Sequence, residues 1–263
     1  MASPRNSSTQ IDEALIPPVE TLPSYARGRD FGTMGAAFVR AAAERGLKPH
    51  HRVLDLGCGV GRFAVAFAAF ADDRASYDGL DASAESIATC NTYIARHLER
   101  FRFHVADVFN AAYRPNASVR AAAYRFPFPD KSFDFVFSNS LFTHLTRDDF
   151  EHYLYEIGRV LDSRGRTLNT FFLLNAASRA GIERGKSQLE FPHPIEDGIA
   201  RVKRIDRPEA AIAYDEDFVR QAHARGGLRI EEPTRYGTWS GRESSGPGFG
   251  NKDIVVAERE ARG

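Results

Sequence analysis

The chain is short of cysteine, short of lysine and without any long apolar run. Two cysteines, Cys58 and Cys90, occur in 263 residues. They cannot build a disulfide framework, and no CxxC spacing is present for a metal or redox pair. Both are expected to be reduced thiols. Lysine stands at only five positions (48, 131, 186, 203 and 252), so arginine makes up nearly all of the 35 basic residues. That bias, with abundant alanine, points to base composition of the genome rather than to a mechanism. No segment approaches the ~18 apolar residues of a membrane span, and the N-terminus lacks a basic stretch followed by an apolar one. Basic and acidic residues are equal at 35 each, giving a formal charge of zero. A duplex-binding protein usually carries a basic surplus. The expectation is a soluble, cytoplasmic protein with no nucleic-acid or membrane partner.

What is present fits one buried domain: 43% hydrophobic and 27% charged residues in 263. Residues 1–20 are small and polar with Pro17 and Pro18, and read as a flexible tail. Residues 21–263 then form a single domain. Short apolar strands at 51–56, 77–81, 101–108, 133–138 and 168–174 alternate with helical spacing at 34–45, 62–70, 84–98 and 147–161. A last helix, 215–224, precedes strands near 228–231 and 253–258. This alternation predicts an α/β fold: a mostly parallel, Rossmann-like sheet with helices on both faces. Ligands in such sheets bind beyond the carboxyl ends of the strands. Segments 110–125 and 176–213 are longer than ordinary connections and are expected to form a small lid over a substrate.

The segment Val53-Leu-Asp-Leu-Gly-Cys-Gly-Val-Gly-Arg runs from strand through a glycine loop into a helix. Glycines 57, 59 and 61 let backbone turn tightly and approach a ligand. Asp81 ends the next strand about 20 residues on, where an acid accepts ribose hydroxyls. A dinucleotide site favours GxGxxG; this loop is GxGxG, and Asp55 precedes it. A carboxylate there suits a cationic sulfonium ligand such as S-adenosylmethionine better than a pyrophosphate. A nicotinamide-dependent oxidoreductase is the remote alternative, and a cofactor-binding protein without transferase activity is a third.

The ordered segments VLDLGCGVGR, DGLDAS, FHVADV, FPFPDKSFDFVFSNSLFTHL and GRVLDSRGRTLNTF resemble the motifs of class I S-adenosylmethionine-dependent methyltransferases over residues 50–175. The flanks YARGRDF and GTWSGRESSGPGFGNKDIVVAE resemble an actinobacterial subgroup of sugar and natural-product O-methyltransferases. The resemblance implies S-adenosylmethionine as cofactor and S-adenosylhomocysteine as product. It implies a cofactor site of Asp55, Gly57, Cys58, Gly59, Gly61, Asp81, Ala82, Asp107, Val108 and Ser138. One departure is the stretch Phe109–Tyr124 between the third strand and FPFPD, so Ala121 to Ala123 could share the adenine contacts.

Methyl transfer to a hydroxyl needs alignment and a base. His144 follows the fourth strand on the ligand side and titrates near neutrality, which makes it the expected base; His193 in the second insert is the runner-up. Tyr25, Asn139, His193 and Trp239 are the expected substrate contacts. No grouped carboxylates follow the fourth strand, so no metal is expected. The expected acceptor is a small hydroxylated molecule, a saccharide or glycosylated metabolite, with N-methylation or a lipid or polyketide acceptor as alternative. A homodimer is compatible with the sequence.

Overall fold

The computed structural model describes residues 11–23, 26–27, 30–109, 114, 116–244 and 251–260. Five parallel strands form the centre of the molecule: β1 (Arg52–Leu56), β2 (Ser76–Asp81), β3 (Phe101–Val105), β4 (Phe133–Ser138) and β5 (Leu161–Phe171). Two short strands follow in sequence, β6 (Leu173–Leu174) and β7 (His193–Ile195), then β8 (Ala200–Val202), β9 (Ile212–Asp215), β10 (Leu228–Ile230) and β11 (Asp253–Arg259). The main sheet has the order β10-β11-β5-β4-β1-β2-β3. Its last two members run antiparallel, β11 on β5 and β10 on β11. The order reverses at β1, between β2 and β4, so a crevice opens beyond Leu56, Asp81 and Ser138.

Strands buried on both faces need cover on both. Helices α1 (Phe31–Ala43), α2 (Arg62–Phe70) and α3 (Ala84–Tyr93) cover one face, with Phe38, Phe63 and Ile87 against Val53, Tyr77 and Phe137. On the other face α4 (Arg147–Val160) and α6 (Glu216–Arg225) bring Phe150, Leu154 and Phe218 onto Leu54, Val136 and Val255. Between them in sequence lies α5 (Ala176–Glu183). Helix α1 starts at Phe31, three residues before the periodicity suggests. The reason is a cap: an Asp30 carboxylate oxygen accepts from the Thr33 amide at 2.8 Å.

Three expectations are corrected by packing. The flexible tail expected through residue 20 is not what residues 11–20 form: Leu15 is buried in the α1–α2 core, with Ile11 and Ile16 packed beside it. The fifth strand, expected at 168–174, divides at Phe172. Its main part pairs with β4 and β11, whereas Leu173 and Leu174 pair with β9. Segment 176–213 is a folded unit rather than a loop. Helix α5 precedes the three strands that complete a second sheet of order β6-β9-β8-β7, closed by a small core of Phe172, Phe191 and Trp239.

Buried polar groups join these parts. Asp253 at the head of β11 is fully buried and accepts from the Leu173 amide (2.7 Å), the Gly237 amide (2.8 Å), the Trp239 indole (2.7 Å) and Arg242 (2.9 Å). Burial pushes its pKa up to about 6, against the opposing pull of Arg242 and the other donors, which leaves it ionised at neutral pH. On the opposite face Glu156 of α4 accepts from the Phe126 amide at 2.7 Å and from Arg159 at 2.6 Å. Arg159 continues to the Phe128 carbonyl and to Asp130. This pair therefore pins the whole FPFPD segment, Phe126 to Asp130, against the helix.

Removing one partner of a buried ion pair leaves the other charge uncompensated. Arg159→Met is expected to lower stability by about 3–5 kcal/mol in urea unfolding. A loss below about 1 kcal/mol would show that the pair does not hold the segment.

Candidate active site

A cavity of about 840 Å³ opens at the carboxyl ends of β1, β2 and β4. It lies in the upper part of the ~300–1,000 Å³ range of small-molecule sites. One end is built by the glycine loop. Gly57, Gly59 and Gly61 all have positive φ (74°, 52° and 80°), a region that side chains disfavour. The loop is latched to β2: Gly57 and Cys58 donate to the Leu80 carbonyl, and the Gly59 amide donates to an Asp81 carboxylate oxygen at 2.8 Å. The other Asp81 oxygen accepts from the Ser83 amide at 2.8 Å. Burial raises the Asp81 pKa and the two amides pull it down. Each oxygen keeps a lone pair toward the cavity that Asp81 lines. Next to it Leu80, Ala106, Val108 and Ala121 form an apolar wall.

The opposite end is built by the turn after β4 and by segment 207–210. Asn139, Ser140 and His144 line it, with Thr146 and Asp149 at the start of α4. Asp149 accepts from the Ala122 amide and the Thr146 hydroxyl, which ties residues 121–123 to this corner. Tyr214 of β9 donates to the Leu145 carbonyl at 2.9 Å, which docks the second sheet there. The His144 Nδ1–H donates to the Glu209 carbonyl at 2.7 Å. That bond assigns the proton to Nδ1 and leaves the Nε2 lone pair unprotonated. Surrounding protein lowers the His144 pKa; the Glu209 carbonyl raises it and the Lys252 charge lowers it again, for a net value below 6.5.

Of the sequence candidates, the cavity brings together Gly57, Gly59, Asp81, Ala82, Val108, Asn139 and His144. The others stand elsewhere. Side chains alternate along a strand, so Leu56 faces the cavity while Asp55 points under the loop. There Tyr77 donates to Asp55 at 2.6 Å, and burial pushes its pKa up to about 7. Cys58 is buried, and its thiol lies against Gly79. Gly61 serves packing: a Cβ there would stand 2.4 Å from Ile94. Asp107 points outward to Arg114 at 2.9 Å, and its neighbours Ala106 and Val108 line the cavity instead. Ser138 is buried, donating to Asn169 at 2.8 Å.

Trp239 is 0% exposed and holds Asp253, so the GTWSGR flank forms a structural joint. His193 lies on the edge strand of the second sheet, outside the cavity. Tyr25 lies outside the described residues. The cavity-lining residues that sequence reasoning missed include Arg120, Arg207 and Glu209. All three lie in segments that sequence marked as inserts, but nothing in the sequence says which insert residues turn inward. Among the described residues no three His, Cys, Asp or Glu side chains are grouped to hold a metal ion. No helix among them is long and apolar enough to cross a membrane.

Residues 54–168 match the family model described as a methyltransferase domain. The chain has a Rossmann-like class I methyltransferase fold. An uncharacterized methyltransferase of Bacillus subtilis, YcgJ, is 29% identical over 145 residues, covering 55% of this chain. The match spans 47% of that curated relative, about half its length. A SAM-dependent methyltransferase structure from Methanosarcina mazei aligns at TM-score 0.56 and 19% identity, covering 84% of this chain and 98% of that one. The 1,6-didemethyltoxoflavin-N1-methyltransferase of Burkholderia thailandensis, solved with bound 1,6-didemethyltoxoflavin and S-adenosylhomocysteine, aligns at TM-score 0.54 and 16% identity, covering 88% of this chain and 80% of that one. Within this fold, the loop of the present chain has spent its Gly57–Gly59 amides on Leu80 and Asp81 and stands over a buried carboxylate. Neither feature suits a pyrophosphate.

The burial of Asp55 has a thermodynamic signature. A carboxyl raised from 3.8 to about 7 on folding contributes stability that is complete below pH 3.8 and is lost as pH rises toward 7. Asp55→Asn removes that slope, so the variant should gain on the parent between pH 4 and 8, with an upper bound on the order of 4 kcal/mol. Parallel stability curves for the two proteins across that range would contradict the burial of this carboxyl.

Proposed function

We propose that the chain is an S-adenosylmethionine-dependent O-methyltransferase acting on a hydroxyl of a small polar acceptor such as a saccharide or glycosylated metabolite. The observation that carries the reading is one cavity with the Gly59–Asp81 latch at one end and His144 at the other. The residues present fit the cofactor. Gly57 and Gly59 leave room beside the loop, Asp81 accepts ribose hydroxyls, and the wall of Leu80, Ala106, Val108 and Ala121 receives a flat base. Bound S-adenosylmethionine supplies an electrophilic methyl group.

The chain's part is then alignment and proton removal. The Glu209 carbonyl fixes the His144 tautomer, and the lowered pKa keeps the ring neutral at pH 7 and able to accept a proton at Nε2. Asn139, Ser140 and Thr146 offer hydrogen-bonding groups near the same corner, which supports a hydroxylated acceptor. Trp239, buried in the small core, supplies no sugar-stacking face. N-methylation, the reaction named for the Burkholderia neighbour, is the second reading; an amine with a free lone pair needs no base. The two inserts together act as the lid, through residues 117–121 and 207–210.

Thermal melting separates the cofactor classes, because a ligand of the native state raises the melting temperature. S-adenosylhomocysteine should raise it and NAD should not; the reverse result would sink the transferase reading. Asp81→Asn should weaken S-adenosylhomocysteine binding by about 10- to 100-fold in calorimetry. His144→Ala should lower kcat by roughly 10²- to 10⁴-fold with cofactor affinity nearly unchanged. In the parent, kcat/KM should rise with pH through a value below 6.5 and level off above it, as the base loses its proton. Unchanged turnover in His144→Ala would favour the amine acceptor.

A further inference from the structure

The lining of the cavity contains two arginines, Arg120 from the first insert and Arg207 from the second. Most charged groups near them are already committed. Asp81 is held by the Gly59 and Ser83 amides, and Asp149 by the Ala122 amide and the Thr146 hydroxyl. Arg114 pairs with Asp107, Arg147 with Glu151, and Arg204 with Asp206. The side chains of Arg120 and Arg207 make no hydrogen bond or salt bridge among the described residues, although the Arg207 charge helps to lower the pKa of its neighbour Asp206. Glu209 is the remaining lining carboxylate without such a partner.

Arg207 has a defined place. It precedes the short turn Pro208–Ala210, and that turn is fastened to the base by the His144–Glu209 bond of 2.7 Å. The residue is therefore anchored at the acceptor end, where it lines the cavity away from the Gly57–Gly59 loop. Arg120 precedes the turn Ala121–Ala123, fastened to the same corner through Asp149. A guanidinium fork matches the paired oxygens of a carboxylate or phosphate. Both side chains are exposed in the open cavity, and a neutral polyol that covered them would strip their water without supplying a countercharge, which is costly.

We propose that Arg207, with Arg120 adding charge to the same cavity, is a specificity-determining residue that holds an oxyanion of the acceptor, so that the substrate is a hydroxylated acid or phosphate ester. The inference rests on the transferase reading for the identity of the acceptor end, but anion binding is measurable without it.

The test is calorimetric titration with glucose, glucuronate and glucose 6-phosphate, and with 4-hydroxybenzyl alcohol against 4-hydroxybenzoate. Each is run with and without saturating S-adenosylhomocysteine, at low and high salt. At least one acid should bind about 10-fold or more tightly than its neutral counterpart, with the advantage falling as salt screens the charge. The better of glucuronate and glucose 6-phosphate tells carboxylate from phosphate. Arg207→Gln should abolish the advantage with melting temperature and S-adenosylhomocysteine affinity unchanged, Arg207→Lys should keep part of it, and Arg120→Gln should reduce it less. Equal binding within every pair, no binding of any anion, or an advantage that survives Arg207→Gln with Arg120→Gln overturns the proposal. So does a loss of S-adenosylhomocysteine affinity in Arg207→Gln, which would assign the charge to the cofactor. Anion binding without any S-adenosylhomocysteine binding overturns the transferase reading and leaves the oxyanion site standing.

Discussion

The hydrogen bond from the Gly59 amide to the Asp81 carboxylate is the contact on which the site depends. It joins the loop after β1 to the end of β2, and it requires Gly59 in a left-handed conformation. With Gly57 and Cys58 donating to the Leu80 carbonyl, the loop is held open as a rim rather than folded over the strand ends. Asp81 is therefore both a structural acceptor and the carboxylate presented to the cavity. The latch works because β1 and β2 are parallel neighbours in register, Leu56 opposite Leu80. A strand order that reverses at β1 leaves the space beyond their carboxyl ends unfilled.

The other end of the cavity is assembled from parts far apart in sequence. The Glu156–Arg159 pair pins Phe126 to Asp130, and with it the end of the first insert. Asp253 gathers the Leu173 amide, the Gly237 amide and Trp239, fixing where the second sheet leaves the main one. Both are buried charges satisfied by several donors, the condition under which such groups are tolerated. Their effect is positional. They set the two inserts so that residues from 117–121 and 207–210 line one cavity, in which the Glu209 carbonyl selects the tautomer of His144.

Much of the fold was legible in the sequence because the relevant signals are local. Alternation of short apolar runs with 3.6-residue periodicity located the five parallel strands and their helices. Asp81 was legible as well, since its spacing from the loop follows from one strand–helix–strand unit. Side-chain direction was not. Asp55, Cys58 and Ser138 belong to motifs that lie at the cavity, yet each points into the protein, toward Tyr77, Gly79 and Asn169. A motif marks a stretch of backbone; strand alternation and packing decide which of its side chains reach a ligand.

The sequence by itself determined the layered α/β architecture, the glycine turn and the candidacy of Asp81 and His144, because local pattern and spacing carry those. Only the tertiary structure decided that Trp239 and His193 lie outside the cavity and that Arg120, Arg207 and Glu209 line it. The physical reason is long-range pairing. The second sheet is joined to the end of the fifth strand where Leu173 and Leu174 pair with β9, and the direction of an insert depends on buried bonds to residues 30 to 80 positions away in the chain.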